Sequence, residues 1–116
     1  MAAPVPAVRE QFPSLRVDVE PERELVRVVP IGELDMATVG LVAEELTDLR
    51  DVGFESLVLD LRRLQFMDSS GVHLILEADA YARTNGHDFA VIPGPPVIQR
   101  LFQLSGVGDQ LEFRDR

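Results

Sequence analysis

The tightest constraint on this chain is the way its hydrophobic period changes along its length. Leu15, Val17 and Val19 alternate with Arg16, Asp18 and Glu20, the two-residue period of a strand with one buried face. Pro21-Glu22-Arg23-Glu24 breaks that pattern as a turn does. Leu25 to Ile31, rich in Val and Ile and closed by Pro30 and Gly32, then predicts a second strand folded back on the first as an antiparallel hairpin. From Met36 the spacing becomes three or four. Met36, Val39, Val42, Leu46 and Leu49 fall on one stripe of a helix, with Asp35 where an N-cap belongs.

The pattern then repeats in alternation. Leu57-Val58-Leu59, between Ser56 and Leu61, is too short and too continuous for an amphipathic helix and reads as a strand buried on both faces. Asp68-Ser69-Ser70-Gly71 follows, and Val72, Ile75, Leu76, Ala78 and Ala82 define a second helix that ends at Asn85-Gly86. Phe89 to Ile92 is another short buried strand. After the rigid Pro93-Gly94-Pro95-Pro96 loop, Val97, Ile98, Leu101, Phe102 and Leu104 make a third helical stripe stopped by Gly106, and Leu111 to Phe113 predicts a last strand. Helices between successive later strands require right-handed crossovers and parallel pairing. The expected fold is a single α/β domain with a mixed β-sheet, an antiparallel N-terminal edge strand and helices packed on the sheet.

Composition excludes several functions. The 116 residues make room for one domain, burying roughly two-thirds of the unfolded surface. With no cysteine there is no disulfide scaffold, thiolate metal site or cysteine nucleophile, and only His73 and His87 are available as imidazole ligands, so neither metal nor cofactor is expected. A net charge of −9 makes nucleic acid and anionic membranes poor partners. All eleven basic residues are Arg; without Lys a phosphate-cradling P-loop is unavailable. Met1 to Pro13, Ala- and Pro-rich, lack the basic and apolar regions of a signal peptide and read as a flexible tail ahead of a domain over residues 14–116. No apolar stretch approaches the ~18–20 residues that cross a bilayer, so a soluble, cytoplasmic protein is expected.

Chemistry concentrates in two segments at the carboxyl ends of strands, where sites on α/β sheets collect: Gly32-Glu33-Leu34-Asp35 and Phe66-Met67-Asp68-Ser69-Ser70-Gly71. The first duty of Asp68-Ser69-Ser70-Gly71 is to start a helix, with Asp or Ser satisfying unpaired N–H groups and Gly letting the first turn approach the sheet. Two hydroxyls exceed what one cap needs. A spare serine at a helix start is a place where phosphorylation adds about −1.5 to −2 charges. Asp68, Glu33 and Asp35 would repel that phosphate while the helix end attracts it, so the domain would tolerate a group that a partner docked on the loop would not. A Ser-His-Asp hydrolase is disfavoured, because there is no Gly-x-Ser-x-Gly elbow and His73 sits on the same helix as Ser69 and Ser70.

Gly32-Glu33-Leu34-Asp35, Leu57-Val58-Leu59-Asp60-Leu61 and Phe66-Met67-Asp68-Ser69-Ser70-Gly71-Val72 together resemble the STAS domain of bacterial anti-sigma factor antagonists, from about Leu15 to Phe113. The resemblance implies a partner-switching regulator of transcription, not an enzyme. Its unmodified form would bind an anti-sigma factor that is also a serine kinase, freeing a sigma factor of a stress response. Phosphorylation, with ATP supplied by the kinase, would end the complex, and a serine phosphatase would restore it. The modified residue would be Ser69, with Ser70 second, and the partner-binding surface would comprise Glu33, Asp35, Asp68, Ser69, Ser70 and Gly71. A STAS adaptor or nucleotide-responsive signalling module that does not act on a sigma factor is the alternative. Two features depart from the family pattern. Arg62-Arg63 is either a solvated basic pair or a partial balance to the acidic docking face, and His73, one turn after Ser69, is placed to meet a phosphate there or its own helix neighbours.

Overall fold

The computed structural model describes residues 14–115, and the expected N-terminal tail lies outside them. Strands β1 (Leu15–Pro21) and β2 (Val26–Leu34) form the antiparallel hairpin, running from Leu15 opposite Gly32 to Pro21 opposite Val26. Helix α1 (Val39–Asp51), β3 (Ser56–Asp60), β4 (Leu64–Met67), α2 (Ser69–Asn85), β5 (Asp88–Ile92) and α3 (Pro96–Ser105) follow. The sheet order is β1-β2-β3-β5, with β4 also paired to β2, and every pairing except β1 with β2 is parallel. The mixed sheet with its antiparallel edge is therefore as expected.

Alternation along the inner strands separates two faces. Val26, Val28, Leu57, Leu59, Phe89 and Val91 enter the main core with Val42, Leu46 and Leu49 of α1 and Val72, Ile75, Ala78 and Ala82 of α2. Val29, Val58, Ala90 and Ile92, on alternate positions, are also buried, which explains the continuous apolar runs. Each large side chain so buried contributes about 1.5–3 kcal/mol relative to exposure.

Four expectations need correction. Sequence periodicity treated Leu64 to Met67 as part of a connection, whereas these residues form β4. Parallel strands ordinarily need a long crossover, but β3 and β4 are not paired with each other. β3 runs beside Val26–Val28 and β4 beside Gly32–Leu34, so a short jog between them suffices. Second, β2 continues past Ile31 to Leu34, its register shifting between Gly32 and Glu33. Third, the last strand is reduced to a single bridge between Phe113 and Val91, held by bonds from Val91 N to the Glu112 carbonyl and from Arg114 N to the Val91 carbonyl, each 2.9 Å. A 3₁₀ turn at Gly108–Gln110 takes up the chain before it, leaving too few residues for a longer ladder. Fourth, the apolar stripes are narrower than drawn. Met36 precedes α1 and is 78% exposed, while Val97 and Leu104 point outward from α3, where Ile98 and Phe102 alone are fully buried.

The jog has its own chemistry. Asp60 is 3% exposed, yet its carboxylate accepts from Arg62 N at 3.0 Å and from the Arg62 guanidinium at 2.8–3.2 Å. Burial pushes the Asp60 carboxyl up, but the side-chain and backbone hydrogen bonds from Arg62, with the charges of Arg62 and Arg27, outweigh it and hold it below the ordinary carboxylate range. A depressed folded-state value stabilises the fold above the ordinary carboxylate range and loses that contribution as pH falls through the folded value. Arg62→Ala removes the guanidinium's hydrogen bonds and charge while the N–H at position 62 and the Arg27 charge remain, so the ionised Asp60 loses most of its support and protonation relieves part of the burial penalty. The stability deficit of Arg62→Ala, measured by urea unfolding, should accordingly be largest near pH 7 and shrink towards pH 4; a deficit independent of pH would show that Asp60 is not the group concerned.

Candidate functional site

The parallel pairing of β2 with β4 sets Glu33 beside Phe66 and Leu34 beside Met67, and Asp68 N donates to the Leu34 carbonyl at 3.2 Å. The two segments singled out in the sequence are thus neighbours at one end of the sheet. At the start of α2 the cap is Asp68: its backbone is extended, and its Oδ1 accepts from Ser70 N at 2.8 Å. The Asp68 carbonyl accepts from Gly71 N at 3.0 Å. Capping therefore uses the aspartate and neither serine hydroxyl. Ser69, the first residue of the helix, is exposed, whereas Ser70 is half-buried.

Gly71 is buried behind the loop, not displayed on it. A methyl group there would lie 2.4 Å from Met67 Cγ and 3.2 Å from Leu34 Cδ2, so the bare backbone lets α2 press against β2 and β4 and sets the height of Ser69 above the sheet edge. Its part in the expected partner surface is thereby positional.

The β2–α1 connection is built with comparable economy. Asp35 Oδ1 accepts from Ala37 N at 2.9 Å and Thr38 N at 3.1 Å, and Asp35 N donates back to Thr38 Oγ1 at 3.0 Å, the reciprocal pattern of a capping box. The regular helix is assigned only from Val39, but Val39 N already bonds the Asp35 carbonyl at 2.8 Å, so Asp35 caps an irregular leading turn. Thr38, 5% exposed, also donates to the Glu33 carbonyl at 2.8 Å and fastens the end of β2 to α1. Sequence reasoning passed over Thr38, although its position three residues after Asp35 was the available signal. Of the three acids near the serines, Asp35 and Asp68 direct their carboxylates at backbone N–H groups, and Glu33 is the exposed one.

The basic residues upstream resolve differently. Arg62 grips Asp60 and is not simply solvated, while Arg63 enters through its backbone, its carbonyl accepting from Gly32 N at 3.4 Å. His73 meets its helix neighbour, with Nε2 3.3 Å from Glu77 Oε2. Ser69, Ser70, His73, Leu74 and Glu77 of α2, with Val39 and Ala43 of α1, line a shallow concavity of about 530 Å³. Among the described residues no group of three His, Cys, Asp or Glu side chains is arranged to hold a metal, and no helix is long and apolar enough to cross a membrane.

Sheet order, the hairpin edge and a serine-bearing helix start set against the end of β2 define one class: a single α/β domain whose distinctive chemistry lies on a surface loop. The chain belongs to the STAS domain family, which matches residues 16–116. It is 34% identical over 95 residues, 81% of each chain, to the anti-sigma F factor antagonist of Paenibacillus polymyxa. Its fold is similar to that of the anti-sigma factor antagonist SpoIIAA in its unphosphorylated form, with a TM-score of 0.71, 27% identity and coverage of 85% of this chain and 88% of that one. The phosphorylated form of SpoIIAA, the Bacillus cell fate determinant, matches with a TM-score of 0.66 and 27% identity, covering 85% and 91% of the two chains. Proteins with these names are regulators, not enzymes.

Proposed function

We propose that this domain is an anti-sigma factor antagonist that works by partner switching. The unmodified loop around Ser69 binds an anti-sigma factor with serine kinase activity, so that the sigma factor is released. Transfer of a phosphoryl group from the kinase's ATP to Ser69 ends the complex, and a serine phosphatase resets it. One observation carries the assignment of the residue: Ser69 is exposed and its hydroxyl is spared from the cap, which Asp68 supplies, whereas the neighbouring Ser70 is half-buried with its N–H held by Asp68. Glu33, Asp35 and Asp68 flank the serine, and Gly71 fixes its height. The names of the relatives, and the existence of SpoIIAA in two phosphorylation states, support the reading.

The physical logic is local. A phosphate adds roughly −1.5 to −2 charges beside Asp68 on the same loop and Glu33 and Asp35 on the neighbouring segment, while the core behind it is undisturbed. Incubation with the cognate kinase, ATP and Mg²⁺, followed by peptide mass spectrometry, is expected to place one phosphate on Ser69. A phosphate on Ser70, or none, would remove the assignment.

A further inference from the structure

We propose that His73 is a built-in counter-ion for a phosphate carried by Ser69, drawing it along α2 and over the concavity between α1 and α2. The inference rests on Ser69 being the modified residue, and adds what this chain does with the phosphate once it is there.

Ser69, His73 and Glu77 succeed one another at intervals of four on α2, so they share one helix face, with neighbouring Cβ atoms about 5–6 Å apart. The imidazole has room to turn, its side chain being 74% exposed, and its present partner is the Glu77 carboxylate at 3.3 Å, on a side chain that is 65% exposed. A phosphate on Ser69 offers a second, more highly charged acceptor one turn in the opposite direction. Ser69 and His73 already line the same concavity, in which His73 is the one basic side chain among the described residues. The α1 wall there presents Val39 and Ala43, and the α2 wall presents Leu74, so nothing ionisable on α1 competes for the phosphate. The remaining charged groups are acids: Glu77, on the far side of the imidazole, Asp68 and Asp35, whose carboxylates are turned to backbone N–H groups, and the exposed Glu33, and their repulsion of the phosphate is the same whichever residue stands at 73. Upstream, Arg62 is committed to Asp60, and the exposed Arg63 stands before β4, at the opposite end of that strand from Ser69.

Two consequences follow from a cation at that point. The phosphate is held against the helix instead of projecting into water, so it occupies the mouth of the concavity beside the loop as well as charging the loop itself. Its second ionisation, ordinarily near pH 6, also becomes easier, because a neighbouring cation favours the dianion.

The test installs phosphoserine at position 69 during translation, so no kinase is required. Titration followed by ³¹P NMR should give a second-ionisation midpoint lower by about half a pH unit or more in the otherwise unaltered chain than in His73→Gln. His73→Arg, which keeps the cation, should restore the low midpoint, a response that a merely structural role for His73 would not produce. Methyl resonances of Ala43 and Leu74 should shift on phosphorylation in the parent chain and much less in His73→Gln. Equal midpoints in the parent and His73→Gln proteins overturn the proposal. Because the phosphate is placed directly, that result leaves the kinase experiment untouched, and failure of a kinase to modify Ser69 leaves the ³¹P comparison equally readable.

Discussion

Gly32→Ala is expected to lower stability by about 3 kcal/mol or more, measured by urea unfolding, while Gly40→Ala raises it by up to about 1 kcal/mol. The two glycines differ in what surrounds them. Gly32 has φ +117°, a region L-residues rarely occupy, and a methyl group there would sit 2.2 Å from the Ser14 carbonyl oxygen. That oxygen cannot move away cheaply, since it accepts from Glu33 N at 2.9 Å and anchors the end of the β1–β2 hairpin. Gly32 is also where the register of β2 against β4 shifts, so the strain would propagate directly to the strand that leads into Asp68 and Ser69. Gly40 lies in the first turn of α1 with nothing within 4 Å of its missing methyl, and there alanine only removes the entropic cost of ordering glycine in a helix. Equal effects at the two positions would mean that the bulge at Gly32 is not needed to hold the sheet end together.

The second large effect is expected in binding. Phosphorylation of Ser69 should weaken capture of the proposed anti-sigma factor partner by on the order of thirtyfold or more, because a desolvated or like-charge group inside an interface costs several kcal/mol. Ser69→Asp should weaken it less, since aspartate carries about half the charge of phosphoserine, and Ser69→Ala should retain most of the affinity. Ser70→Ala serves as the control: with its side chain half-buried and outside the cap, it should alter affinity little. Calorimetry on the purified pair reads all four. Identical affinities for the unmodified and phosphorylated proteins would sink electrostatic switching at this loop, and unfolding transitions measured in parallel separate that outcome from a damaged fold.

Much of the fold was legible because the relevant physics is short-range. The alternation at Leu15, Val17 and Val19 and the three-and-four spacing of Val42, Leu46 and Leu49 report which face of each element meets the core; Leu15 and the three helix residues lie in it, and Val17 and Val19 pack against it. The stops before Gly86 and Gly106 are likewise local matters, settled within one turn of helix. Leu64 to Met67 was not legible in this way. Four residues are too few to show a period, and whether they form a strand depends on the free edge of β2, which lies some thirty positions earlier in the chain. The break before them is also a tertiary matter in part, since the buried Asp60 carboxylate both turns the chain at Arg62 and needs Arg62 to be tolerated there.

For the candidate site the division is similar. From the order of residues alone came the composition of the loop, two serines after an aspartate and before a glycine at the end of a buried segment, together with the acids at Glu33 and Asp35. Sequence could not say which of those polar groups would be spent on backbone hydrogen bonds. The assembled structure decided that Asp68 caps α2, that Asp35 and Thr38 cap each other, that Gly71 is packed out of reach, and that Ser69 alone combines exposure with a hydroxyl left outside the cap. The reason is physical: an N–H left open at a helix end takes whichever acceptor the surrounding fold brings within about 3 Å, and that choice is made by packing between elements far apart in the chain.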